Sequence, residues 1–259
     1  MNPLFPPVPG LFDRLPAGRS QAGEGATTLL PGVAGPPWSW LLVPASRWRE
    51  ELRDPEAGPL PDAVILDVHE DEAGPGPARA AAAAALEQSS RPGSGLGQGR
   101  PWLRIHPVDS PECRADVEAL ARLGAGLVLP RTTSAVDVDR LTALCPGVRV
   151  MPVLEDQEAL SHAVAIAGRS GVAWLGFSSR RVAVAWARPV LVNACAAAGI
   201  PGPVNAVHTA PEDAVAVVHE AAESALAGFA GQCVNRREQL RDIHTLHDGL
   251  ATLPARAAG

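Results

Sequence analysis

The chain has 259 residues, 46% of them hydrophobic, with a mean hydropathy of +0.06 and a net charge of -6. That is enough apolar material for one large core, with no basic face to neutralise phosphates, so nucleic acid is excluded as a partner. All 22 basic residues are arginine and tyrosine is absent, which rules out Schiff-base lysines, pyridoxal-phosphate mechanisms and tyrosine acid-base chemistry.

Residues 1–36 form an irregular leader rich in proline and glycine, without the basic start and apolar middle of an export signal. No apolar stretch reaches the roughly 20 residues of a membrane span, so the expected location is the cytoplasm. From residue 37 to 253, apolar runs alternate with stretches of helical periodicity, the pattern of repeated βα units. The predicted strands are 38–43, 63–68, 102–105, 126–129, 149–154, 172–177, 204–207 and 231–234. Near-continuous apolar character, as in AVILDV and AGLVLP, suits strands flanked by parallel neighbours and covered on both faces. Residues 78–88 are mostly alanine and predict a helix. The glycine-rich tract after them precedes a strand instead of opening a helix, so it is read as a flexible loop and not as a phosphate cradle. Asp109, Ser110, Pro111 and Glu112 mark one helix start, and Thr209, Ala210, Pro211 and Glu212 mark another. An amphipathic segment follows at 236–253, then a tail at 254–259. Eight such units predict an α/β protein, a single (β/α)8 TIM barrel, with a doubly wound open sheet as the alternative.

Cys113, Cys145, Cys195 and Cys233 are far apart and form no C-x-x-C pair, so they are read as reduced, buried thiols. In a barrel, chemistry sits at the carboxyl ends of the strands. Those ends carry Ser46 and Arg47; Asp67, His69, Glu70 and Asp71; Arg104 and His106; Arg131 and Thr133; Glu155 and Asp156; Ser178 to Arg181; Asn205 and His208; and Asn235 and Arg236. This ring of mixed charge suits a small anionic substrate. An arginine within the apolar run WLRI is costly without an anionic partner, which makes Arg104 the first candidate for a carboxylate clamp. His69 and His106 are candidates for proton transfer. His162, His219, His244 and His247 fall on predicted helices and are read as surface residues. Substrate contacts are expected from Arg104, Arg47, Asp67, Glu70, Ser178 and Ser179.

The segments LLVPASR, AVILDVHEDEA, the pair Ala78 and Arg79, LRIHPVDSPE, LVLPRTTSAVDV, PVLEDQEAL and ACAAAGIP, in this order, resemble the HpcH/HpaI aldolase and citrate lyase beta-subunit family. The resemblance implies a (β/α)8 fold and a homo-oligomer. It also implies Mg-dependent cleavage or formation of carbon-carbon bonds in oxo or hydroxy acids, frequently as CoA thioesters. It places the substrate-gripping arginine at Arg104 and the metal-binding glutamate at Glu155. The acidic turn falls on Asp67 with either His69 and Glu70 or Glu70 and Asp71.

The chain departs from the family at several positions. Where the family has F-G-x-x-D with a second metal carboxylate, this chain has Arg181, and the family's LPK-x-E becomes Arg131 and Thr133. The family's terminal turn becomes 231–236, and the C-terminal cap is missing, which makes CoA doubtful. A guanidinium beside a divalent cation is strongly unfavourable, so the expectation is a site without cofactor, with Mg2+ unlikely and Arg181 paired to Glu155. The reading is a divergent, metal-independent enzyme performing Arg-clamped acid-base chemistry through Arg104, Glu155, Arg181, His106 and His69. That chemistry is carbon-carbon cleavage or formation, or a cyclisation or rearrangement in biosynthesis. The alternatives are a non-catalytic scaffold barrel and a conventional Mg-dependent lyase with Glu155 on the metal and Asp156 or Glu70 in place of the missing carboxylate. A cavity lined by Arg104, Glu155 and Arg181 favours catalysis, and one filled by Trp174 or Phe177 favours the scaffold.

Overall fold

The computed structural model describes residues 37–53, 56–89, 96, 100–178, 184–206 and 210–251. The 1–36 leader, most of the glycine-rich tract and the 254–259 tail lie outside them. Eight parallel strands close into a barrel in sequence order: β1 (Ser39–Pro44), β2 (Ala63–Asp67), β3 (Trp102–Arg104), β4 (Gly126–Leu129), β5 (Val150–Leu154), β6 (Gly176–Phe177), β7 (Val204–Asn205) and β8 (Gly231–Val234), with β8 pairing back onto β1. The predicted 172–177 strand is shorter than expected. Val172 makes an isolated bridge to Val150, and regular pairing resumes only at Gly176. Trp174 lies in the interruption and is buried against Trp40, with ring centroids 5.3 Å apart.

The helices cover the outside: α1 (Trp48–Arg53), α2 (Pro75–Ser89), α3 (Pro111–Leu120), α4 (Ala135–Leu144), α5 (Gln157–Ser161), α6 (Ala163–Ala167), α7 (Val184–Ala198), α8 (Ala214–Leu226) and α9 (Leu240–Ala251). The start predicted near Pro211 is displaced. Asp213 caps α8 by accepting from the Ala216 N–H at 3.0 Å, and Pro211 falls in the preceding turn. Three of the histidines assigned to the surface make specific contacts. His244 is half-buried on α9 with Nε2 2.8 Å from the Ser39 hydroxyl, and His247 stacks on Trp38. His162 sits at the junction of α5 and α6, its Nδ1 3.0 Å from the Thr133 carbonyl.

Side chains that point into the barrel form a compact layer of Trp40, Ile65, Trp102, Val128, Met151, Trp174, Val204 and Cys233. Glycines on neighbouring strands make room for the indoles. A Cβ at Gly126 would lie 2.4 Å from the Trp102 ring, and one at Gly231 would lie 2.6 Å from Trp40 Nε1. Trp40 meets Trp102 and Trp174 edge-on, at 6.0 and 5.3 Å, the arrangement that aromatic quadrupoles favour. Phe177 faces the opposite way, against Phe229 and the helices. The floor of the barrel is therefore solid, and the open space lies above it at the carboxyl ends of the strands.

Candidate active site

That space is a cavity of about 590 Å3 whose wall includes Arg47, Asp67, His69, Glu70, Arg104, Arg131, Glu155, Ser178, Cys233 and Asn235. It is not filled by Trp174 or Phe177. Seven strands and the segments that follow them supply these groups, the usual place for a barrel's binding site.

Arg104, the last residue of β3, is held by the turn after β2. Its Nη1 donates to Asp67 Oδ2 at 2.8 Å and to Glu70 Oε2 at 2.9 Å. The other oxygen of Asp67 accepts from the backbone N–H groups of His69 and Glu70, at 3.0 and 3.2 Å, and so shapes the turn that carries both residues. Burial opposes the charge on Arg104, but the hydrogen bond to Glu70 and the charges of Asp67 and Glu70 outweigh it, and the guanidinium is held protonated more firmly than usual. Its Nη2 and Nε hydrogens have no partner among the described residues. Asp67, His69 and Glu70 are thus the members of the acidic turn that face the cavity. Asp71 turns away, and accepts from the Ser46 N–H at 2.6 Å and from its hydroxyl at 2.7 Å.

The two candidate histidines occupy different positions. His69 lines the cavity and packs edge-on against His106, with ring centroids 5.1 Å apart. His106 stands behind it and is not part of the cavity wall. Both its backbone N–H and its Nδ1 lie 2.8 Å from Asp116 Oδ2. Asp116, on α3, is completely buried, and its second oxygen accepts from Arg79 Nε at 2.7 Å. Arg79 also bonds the Glu112 carboxylate. Asp116 was missed in the sequence, although it left a signal there. It is an acidic residue in line with Cys113, Val117 and Leu120, the buried stripe of α3.

Glu155 follows β5 and lines the cavity, with one long contact of 3.4 Å from the Arg131 N–H to Oε1. Arg131 has a left-handed backbone, φ 52, a conformation that costs energy for a residue with a side chain and clusters at binding sites. Asp156, named with Glu155 as a possible metal ligand, is used elsewhere. Its carboxylate caps α5 through the Ala159 N–H at 2.8 Å. Arg47 reaches the wall but pairs with Glu50 and Glu51 on its own helix. Ser178 is in the wall, whereas Arg181, Ser179 and His208 lie outside the described residues. Cys233 is buried beneath the cavity, and burial pushes its thiol up to about 12, which leaves it inert at neutral pH.

No family model and no curated protein matches the sequence, but solved structures match the fold over most of the chain. RipC from Yersinia pestis superposes with a TM-score of 0.64 and 26% identity, over 81% of this chain and 94% of that one. CitE from Mycobacterium tuberculosis in complex with magnesium, acetoacetate and coenzyme A superposes at 0.65 with 25% identity, over 84% of each chain. The citrate lyase beta subunit from the same organism, complexed with oxaloacetate and magnesium, superposes at 0.65 with 24% identity, over 83% of this chain and 97% of that one. The fold is the HpcH/HpaI type. The expectation of a (β/α)8 barrel resembling citrate lyase beta subunits holds.

The expectation of a site without cofactor does not hold against these HpcH/HpaI-type neighbours, several of which were solved with magnesium bound. That expectation rested on the charge of one side chain, Arg181, which lies outside the described residues. Among the described residues, no group of three His, Cys, Asp or Glu lies close enough to hold an ion unaided. Among the described carboxylates of the wall, Glu51, Asp67 and Glu70 pair with arginines, whereas Glu155 has only a weak backbone contact and suits a hard cation. Magnesium commonly takes one or two carboxylates and fills its remaining positions with water and substrate oxygens, and a single glutamate fits that habit. No helix among the described residues is long and apolar enough to cross a membrane.

Proposed function

We propose that this chain is a carbon-carbon lyase or aldolase acting on a small oxo or hydroxy acid at the cavity above the tryptophan layer. The observation that carries the reading is the state of Arg104, an arginine aimed into the cavity by Asp67 and Glu70, with Nη2 and Nε left for a ligand. Two such donors match the spacing of a carboxylate. Because the acidic turn fixes the guanidinium before any ligand arrives, little side-chain entropy remains to be lost on binding.

Magnesium belongs to this reading. Glu155 is the residue that would hold it, and when bound it supplies polarisation of the carbonyl next to the bond that breaks. Arg104 orients the substrate carboxylate, the apolar side chains of Ile65, Val128, Met151 and Val204 exclude water from below, and His69 faces the reacting groups from the side of the acidic turn. Ser178 and Arg131 complete the opposite rim. An open, charged cavity at this position favours the enzyme over a scaffold barrel, whose mouth its own side chains would close.

The test is calorimetric titration of the full chain with pyruvate and with oxaloacetate, with and without Mg2+, alongside an assay of oxaloacetate cleavage. Binding that needs Mg2+ and is lost in both Arg104→Met and Glu155→Gln is the expected result. No binding of either acid at millimolar concentration with Mg2+ present, to a chain that is folded, refutes the reading.

A further inference from the structure

The wall of the cavity contains an imidazole in an unusual position. His69 Nδ1 is buried and has no hydrogen-bond partner. Nε2 likewise has no protein partner among the described residues, yet it is not among the buried atoms, and the ring lines the cavity. One nitrogen is therefore sealed in protein while the other opens onto the ligand space.

We propose that His69 is held as the neutral imidazole protonated on Nε2, and that it donates a hydrogen bond from Nε2 to an oxygen of the bound ligand without serving as a base.

Two features lead to this state. A proton on Nδ1 would be a buried donor with no acceptor, a situation folded proteins avoid more strictly than an unused acceptor. The imidazolium needs protons on both nitrogens, so it would create the same orphan and add a charge. The groups facing the ring are Arg104 and His106, which disfavour that charge, and Glu70 and Asp67, which favour it. Burial and Arg104 prevail, and the group sits below its ordinary value of 6.5. What remains is the tautomer with its lone pair inward and its N–H outward. A neutral histidine of this kind polarises a carbonyl or stabilises a developing oxyanion. Beside the free donors of Arg104, it makes the acidic-turn side of the cavity a cluster of hydrogen-bond donors.

The plane of the ring is set from behind. Asp116 is a carboxylate and only accepts, so His106 Nδ1, 2.8 Å away, carries a proton, and this tautomer is fixed in turn by Arg79 on the other oxygen. His106 then forms the surface against which His69 packs edge-on. Asp116 is a positioning residue: it touches neither ligand nor His69, and it acts through His106.

The inference deepens the lyase reading, since that reading supplies the ligand oxygen, but its first test needs no ligand. The full chain, labelled with 15N-histidine, is followed by long-range 1H–15N spectroscopy over roughly pH 5 to 8, with His69 assigned through His69→Gln. If that variant does not fold, His69 is assigned by elimination through substitution of the other histidines. The expected result is one tautomer, Nε2 protonated and Nδ1 bare, with a titration midpoint below 6.5. A proton on Nδ1, a mixture of tautomers, or titration at or above that value overturns the proposal. In Asp116→Asn the His69 tautomer is expected to become mixed, whereas a loss of stability with the His69 signals unchanged refutes the positioning role. Adding pyruvate with Mg2+ should move the Nε2 resonance with its proton retained. If the tautomer is as expected but no ligand moves it, the oxo-acid reading fails and the state of His69 stands.

Discussion

Replacing Asp116 with alanine should destabilise the barrel more than any other single change at the periphery of the site. The carboxylate is completely buried and makes three short hydrogen bonds, to Arg79 Nε at 2.7 Å and to the backbone N–H and Nδ1 of His106, each at 2.8 Å. It thereby ties α2, α3 and the exit of β3 at one point. Removing one partner of a buried ion pair costs about 3–5 kcal/mol because the other charge is left uncompensated. Arg79 keeps Glu112, which is partly exposed, and this brings its share toward the low end of that range. The orphaned donors of His106 add roughly 1–3 kcal/mol, so the total is set at about 4 kcal/mol. For a chain of this size each kcal/mol moves the melting temperature by about 2–4 °C, which gives a fall of about 8–16 °C by calorimetry. Asp116→Asn keeps the shape and an acceptor, and should fall by about half as much. A loss under about 1 kcal/mol for the alanine variant would show that Arg79 and His106 find other partners and would refute the account of the network.

Further outcomes follow from the same geometry. Gly126→Ala places a methyl group 2.4 Å from the Trp102 ring, and the overpacking should cost about 1–3 kcal/mol in urea unfolding; an unchanged midpoint would mean the indole can shift freely. Because the His69 pKa is lowered in the folded chain, the unfolded chain takes up that proton first, so its contribution to stability is present above pH 6.5 and is lost as the pH falls through the folded value. His69→Gln should flatten this part of the pH dependence, and an equal slope in both proteins counts against it. Thiol reagents at neutral pH should leave Cys113, Cys195 and Cys233 untouched until the protein unfolds, since burial pushes their thiols up to about 11, 12 and 12; rapid labelling of the native chain would contradict this.

The sequence revealed most of the fold because parallel strands covered on both faces leave long apolar runs. AVILD and GLVL became β2 and β4 with their boundaries close to those expected. The 172–177 run misled because an apolar residue such as Trp174 supports a strand and a bulky interior insertion equally well, and only the paired backbone tells them apart. At the site, residues adjacent to strand ends were legible: Arg104, Asp67, Glu70, His69 and Glu155 all reach the cavity. Residues that act across distance were not. The register of His69 and Glu70 was ambiguous in one dimension and was resolved only by Arg104 choosing its partners. Asp116 escaped notice because its partners come from α2 and from the loop after β3, 37 and 10 residues away along the chain. The cofactor expectation failed for a different reason: it let one side chain outweigh the magnesium found in several solved structures that share the fold.

The tryptophan layer has a practical consequence. Three of the chain's six indoles lie together in the same buried layer as Ile65, Val128, Met151 and Val204, the side chains that border the ligand space, and within range for efficient exchange of excitation. The barrel therefore carries its own optical reporter. A ligand pressing on that layer changes the packing around several coupled chromophores at once, so occupancy can be followed by emission or near-ultraviolet dichroism without a label.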